Sequence, residues 1–122
     1  MAKAALRVSE GFKAFVLDQL GPLGVTARSM FGGVGLYKDD VFFAILAGDV
    51  LYLKTDDRNR PAFERAGMPP FKPYPNRSGT MRYFAVPLDV LEDSRALVAW
   101  SRAAVAAGMT SRRPSSNKPR RR

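Results

Sequence analysis

The chain contains no cysteine and no histidine among its 122 residues. The first absence removes disulfides, thiolate metal sites and thiol nucleophiles together. The second removes the side chain that most often serves as general base, pH switch and metal ligand. No apolar run approaches the roughly 20 residues needed to span a bilayer. The first nine residues, Met1 to Ser9, lack the apolar stretch of a secretory signal. These absences lead to the expectation of a cytoplasmic, soluble protein with no membrane partner, no cofactor, no metal and no catalytic residue.

What remains is 46% hydrophobic, enough for one compact domain with a real core. The net charge is +9, a value that ordinarily points to an anionic partner. Six of the positive charges, Arg112, Arg113, Lys118, Arg120, Arg121 and Arg122, fall in the last twelve residues, with no acid among them. Removing those six from +9 leaves +3 for residues 1–111. The expected division is therefore a domain over residues 1–109 and a disordered basic tail over 110–122, since the tail has no apolar periodicity.

Ser9 can cap a helix through Leu20, with Phe12, Phe15, Val16 and Leu20 on one face and Gly21-Pro22 as its stop. Strand patterns follow at 25–31, 34–37, 41–47 and 50–54. The short turn segments Lys38-Asp39-Asp40 and Gly48-Asp49 make this block an antiparallel meander. The strand at 41–47 is apolar on both sides, Val41, Phe43 and Ile45 on one and Phe42, Ala44 and Leu46 on the other, so both sheet faces need cover. Asp57 is a fair cap for a short helix through Ala66, with Pro61 tolerated in its first turn. Four prolines between Met68 and Ser78 mark loop or edge, and Thr80 to Val86 alternates as a fifth strand. Asp93 opens a last helix to Ala107, with Leu97, Trp100, Ala104 and Val105 as its stripe and Gly108 as its cap. Strands clustered between helices without βαβ alternation define an α+β class, a two-layer antiparallel meander with flanking helices.

The motifs weigh against chemistry. A phosphate cradle at Phe31-Gly32-Gly33-Val34-Gly35 would need a helix directly after the glycines and a Lys-Ser/Thr pair. A strand pattern follows instead, so the glycines read as a tight connection or bulge. Asp39-Asp40 and Asp56-Asp57 lack the alternating ligand spacing of a calcium loop and sit where turns and caps favour Asp. Ser9, Ser29 and Ser78 have no histidine to activate them, and Lys54 beside two Asp reads as a solvated charge. Tyr37, Tyr52, Tyr83 and Phe84 near Arg82 and Lys54 invite comparison with a base-stacking sheet. The segment 81–86 lacks the glycine of the RNA-recognition signature, and strand aromatics favour core and cross-strand pairs. Two roles stay open for the tail: non-specific nucleic-acid contact through its six cations, or a solubilising terminus.

Taken as an ordered string, Arg28-Ser29-Met30-Phe31-Gly32-Gly33-Val34-Gly35-Leu36-Tyr37, then Leu51-Tyr52-Leu53-Lys54 with Asp56, then Phe63, Gly67 and Pro70-Phe71, resembles the N-terminal domain of the TfoX/Sxy family. The likeness runs on through Tyr83, Val86-Pro87, Leu91 and Trp100. The family motif residues, read as structural, are Arg28, Met30, Phe31, Gly32, Gly33, Gly35, Tyr37, Tyr52 and Lys54. The resemblance implies a two-layer fold of the secretion-chaperone type. It also implies a regulatory role in transcription and natural competence, through protein partners such as the transcription machinery or a cAMP receptor protein-like activator, and it supplies no catalytic residues. Two departures stand out. The chain carries a basic tail where full competence regulators have a helical C-terminal domain, and Asp40 occupies a hairpin position where Gly is expected. The doubly apolar strand adds the expectation of a homodimer or protein partner on the second sheet face. The alternative is a nucleic-acid-binding protein using the tail with Arg28, Arg58, Arg60 and Arg82.

Overall fold

The computed structural model describes residues 7–30, 32–72 and 82–112, with side chains through Thr110. Helix α1 (Glu10–Gln19) starts at Ser9, whose Oγ accepts the Phe12 amide at 3.2 Å while its own N–H donates to Asp49 at 2.7 Å. The helix is thus capped and tied to the far end of a hairpin by one residue. Its buried face is centred on Val16 and Leu20, with Phe12 and Leu17 beside them. Phe15, expected in that stripe, is 41% exposed, because it lies a full helical step of about 100° round from Val16. A 3₁₀ turn, Gly21–Leu23, follows, and Gly24 at φ 73° makes the left-handed exit into the sheet.

Five strands run in sequence order, each antiparallel to the next: β1 (Thr26–Met30), β2 (Gly33–Lys38), β3 (Val41–Ala47), β4 (Val50–Lys54) and β5 (Tyr83–Ala85). The β2–β3 and β3–β4 loops have two residues each, Asp39-Asp40 and Gly48-Asp49, all with positive φ. That is the hairpin turn whose twist matches the strands. Asp40 takes the left-handed conformation at φ 68° in the place where Gly was expected. The bridge of Pro70 to Phe84 and the bonds Phe71 N–H to Tyr83 and Ala85 N–H to Pro69 continue the sheet beyond β5. The expected fifth strand, 80–86, shrinks to three residues, and positions 80 and 81 lie outside the described residues.

Strand β3 corrects the simple alternation. Leu36 pairs with Ala44 but Tyr37 pairs with Phe42, which leaves Phe43 without a partner. At this bulge two successive side chains share a face. Phe43, Ala44 and Leu46 all enter the main core, whereas Phe42, Ile45 and Ala47 belong to a second cluster. Ile45 therefore stands opposite Phe43, not beside it.

The helices lie on one face of the sheet. Helix α2 (Arg60–Arg65) is shorter than expected and begins at Asn59, not Asp57. Asn59 turns its side chain back to the Lys54 carbonyl and accepts the Asp56 amide, while Asp57 pairs with Arg60 at 2.7 Å. A single-turn helix α3 (Leu88–Leu91) leads to α4 (Ser94–Arg112), where Asp93 accepts the Ala96 amide as a cap. Helix α4 does not stop at Gly108. It continues to Arg112, with Gly108 packed closely against β3 and not forming an exit. Leu97 and Ala104 are fully buried against the sheet, and Trp100 meets Phe63 edge-on at 4.8 Å. Ser94 donates to the Gln19 carbonyl and Gln19 to the Leu91 carbonyl, locking α1 to the α3–α4 corner. Among the described residues no helix is long and apolar enough to cross a membrane.

Candidate functional site

Among the described residues the helices pack on one face of the sheet, and the other face carries a second cluster of aromatic and aliphatic side chains. Because β2 and β3 join through a two-residue loop, Tyr37 and Phe42 are direct cross-strand partners, and their rings stack at 5.1 Å. Phe42 leans across β4 to reach Tyr83 on β5 at 5.6 Å. The row is closed by a cation at each end. The Arg28 guanidinium stands 4.8 Å from the centre of the Tyr37 ring, and Lys54 Nζ stands 5.0 Å from that of Tyr83. Each ring contact contributes about 0.5–1.5 kcal/mol beyond burial, and each cation about 0.5–1 kcal/mol at a wet surface. Five side chains from all five strands thus hold one another in register. Beside the row, Tyr52 packs on Phe71 at 4.7 Å.

Gly35 makes the row fit. A Cβ there would stand 3.0 Å from both Met30 Sδ and Phe42 Cε1, so the missing side chain lets Met30 and Phe42 close over β2. Gly32, at φ 86°, turns the chain between β1 and β2, and Gly33 pairs with Met30. The glycine string is therefore a structural connection, leading into a strand and not into a helix N-terminus. Of the motif residues, Arg28, Met30, Gly35, Tyr37, Tyr52 and Lys54 come together on this face. Phe31 lies outside the described residues, as do Arg113, Lys118, Arg120, Arg121 and Arg122, and the backbone of Arg112 ends α4.

The electrostatics follow from burial and from neighbours. Burial and, secondarily, the proximity of Tyr37 push the Tyr83 hydroxyl up to about 12, and burial also raises Tyr52. Lys54 is lowered from the ordinary lysine value, first by burial and then by the positive charge of Arg82. Arg82 is held next to it because Thr55 donates both its amide (2.8 Å) and its hydroxyl (3.2 Å) to the Arg82 carbonyl. Among the described residues neither Arg28, Lys54 nor Arg82 enters an ion pair. Arg58 and Arg60, by contrast, are tied to Asp56 and to Asp57 and Glu64. The hydrogen bond from Arg58 holds the Asp56 carboxyl below its usual range, and Arg58 also donates to Thr110 near the end of α4.

On the opposite side, a shallow apolar hollow of about 160 Å³ lies between α2 and α4, lined by Asn59, Ala62, Phe63, Ala99, Trp100 and Ala103. The acidic pairs serve turns and arginines, and no group of three potential metal ligands occurs among the described residues. Sequence reasoning missed Phe42 as the centre of the row and Gly108 as a packing contact. The first was recoverable, since a two-residue loop at Asp39-Asp40 makes 37 and 42 partners. The second had no local signal.

A five-stranded antiparallel meander backed by helices on one face, with an aromatic, cation-capped second face, defines a small α+β domain. The chain belongs to the TfoX N-terminal domain family, whose model matches residues 16–108, most of its length. That family comprises regulatory proteins not known as enzymes. A search of curated proteins finds no match to this chain.

Proposed function

We propose that this chain is a non-enzymatic regulatory module that works through protein–protein contacts made by the second sheet face. The observation that carries the reading is the arrangement of that face. Phe42, Tyr52 and Met30 are only half-buried there, Val50 is 36% exposed, and the helices of the described structure pack on the other side. An apolar sheet face kept partly open is the usual mark of a contact surface. Family membership supports a link to transcription and competence, with the transcription machinery or a cAMP receptor protein-like activator as the kind of partner. A second copy of the chain is the other occupant to test for.

The test is a photo-crosslinking residue placed at Tyr52 in the full chain, with the same residue at Arg95 on the exposed side of α4 as control. A discrete protein adduct at position 52 and none at 95 is the expected result. Adducts at both positions, or at neither, would remove the surface from consideration. The mass of the adduct separates a homodimer from a different partner.

Nucleic-acid binding is the second reading, favoured by the acid-free basic run at 112–122. Two of the four arginines it would add, Arg58 and Arg60, already face carboxylates. About six phosphate contacts would give a salt slope near −5. Deletion of residues 111–122 that abolishes both DNA affinity and its slope would assign that binding to the tail alone.

A further inference from the structure

The rings of the row are engaged by one another and by the flanking cations. Tyr37 has Arg28 and Phe42 against it, and Phe42 contacts Tyr37 and Tyr83, so their faces are engaged. Base stacking needs an open ring face, and in this row the neighbours of Tyr37 and Phe42 take up that surface. The fixed charges on this face have the same sign. Arg28 is exposed and Lys54 half-buried, exposed Arg82 precedes Tyr83 at the edge of the face, and none has a carboxylate partner among the described residues. The Thr55 bonds fix the Arg82 backbone beside the end of β4, and the positive charge of Arg82 disfavours that of Lys54, a repulsion that an incoming anion relieves. Between the cations lie the rings of Tyr37 and Phe42, with Tyr52 beside the row on the Lys54 strand, a largely apolar floor.

We propose that this face docks an acidic, extended protein segment, whose carboxylates meet Arg28 at one end and Lys54 with Arg82 at the other, and whose apolar side chains lie on Phe42 and Tyr52. The proposal rests on the protein-contact reading above and adds the chemistry of the partner. Arg28 is on β1 and Lys54 on β4, three strand spacings apart and two residues out of register, or about 16 Å. That span corresponds to about four to five residues of extended chain, so the matching segment carries two acids four positions apart, on the same side of an extended chain, with apolar residues between. A protein segment suits the surface better than a nucleic acid, because the floor is apolar and the ring faces are closed to bases.

The test is fluorescence anisotropy with the full chain and three labelled probes. These are a nine-residue peptide with glutamates at its third and seventh positions and valine and leucine between them, the same peptide with glutamines, and a ten-residue oligothymidylate. The acidic peptide is expected to bind, and its affinity to fall at least tenfold in the glutamine peptide and in the double variant R28Q/K54Q. The charge-preserving R28K/K54R is expected to restore most of the binding, which separates lost charge from lost folding. Substituting Lys118, Arg120, Arg121 and Arg122 by Gln is expected to change peptide affinity less than twofold. Unchanged affinity in R28Q/K54Q, or loss only in the tail variant, would overturn the proposal. So would oligothymidylate binding that depends on Arg28 and Lys54 while peptide binding does not. A crosslink at Tyr52 together with a failed peptide would reject the acidic partner and keep the contact surface; failure of both would reject the surface itself.

Discussion

Gly108 of α4 and Phe42 of β3 meet backbone to backbone: a methyl group on Gly108 would stand 2.9 Å from the Phe42 carbonyl oxygen and 2.7 Å from Val41 Cγ1. Phe42 is thus held from both sides, by a bare helix backbone behind the sheet and by Tyr37 and Tyr83 in front of it. The depth at which α4 seats determines where the aromatic row lies.

Substituting Gly108→Ala tests that contact, because two effects oppose. Helix propensity favours Ala over Gly by about 1 kcal/mol in a helix interior. Overpacking costs about 1–3 kcal/mol, and here one of the clashing atoms is backbone and cannot rotate away. The variant is expected to be less stable by about 1–2 kcal/mol in urea unfolding; a gain in stability would show that α4 can shift freely.

Phe43 fills the main core from the bulge and is fully buried. Phe43→Ala is expected to cost about 3–5 kcal/mol. Were Phe43 on the second face, as strict alternation places it relative to Ala44, the loss would be much smaller. Chemical denaturation of Phe43→Ala beside the unsubstituted chain at 25 °C decides this.

Asp40 holds φ 68° in a turn that suits Gly. Asp40→Gly removes the left-handed strain but gives the unfolded chain more freedom. Asp tolerates this region, so the expected gain is only about 0.5 kcal/mol, read as a higher urea midpoint with unchanged slope. A loss of stability would mean that the Asp40 side chain contributes something of its own to the hairpin.

Tyr83 supplies the pH prediction. Its folded pKa, raised to about 12, exceeds the unfolded value of 10.0. The folded state therefore retains a proton that the unfolded state loses, and this contribution is fully present below pH 10. It is lost as pH rises through the folded value. Ultraviolet titration at alkaline pH is expected to show a late tyrosine phase near 12 that disappears in Tyr83→Phe. If the late phase remains in that variant, the row does not seal Tyr83 from water.

Much of this was legible along the chain. Ser9 and Asp93 cap helices as their residue types suggest, β3 and β4 begin and end where the pattern places them, and the ordered string from Arg28 to Trp100 carries the family. What failed has a common cause. Phe15 and Ile45 were assigned to faces by counting a fixed period, and a helix flank or one extra residue in a strand breaks the count. Gly108 was read as a stop because Gly ends helices in isolation. Helix α4 runs through it because packing against β3 outweighs about 1 kcal/mol of unfavourable propensity. Helix α2 starts after Asn59, whose side chain bonds the Asp56 amide and the Lys54 carbonyl and not the helix, while the Asp57 carboxylate pairs with Arg60.

The sequence by itself determined the absence of histidine and cysteine chemistry, the order of strands and helices, the tight hairpins and the concentration of charge at 112–122. These are properties of composition and of near neighbours, where a residue's own conformational preference decides the outcome. Only the tertiary structure decided that Arg28, Tyr37, Phe42, Tyr83 and Lys54 form one row. Residues 28 and 83 are 55 positions apart, and a bulge, an empty Cβ at Gly35 and the seat of α4 on Phe42 set their meeting. Those are matters of packed volume, which no local pattern of the chain records.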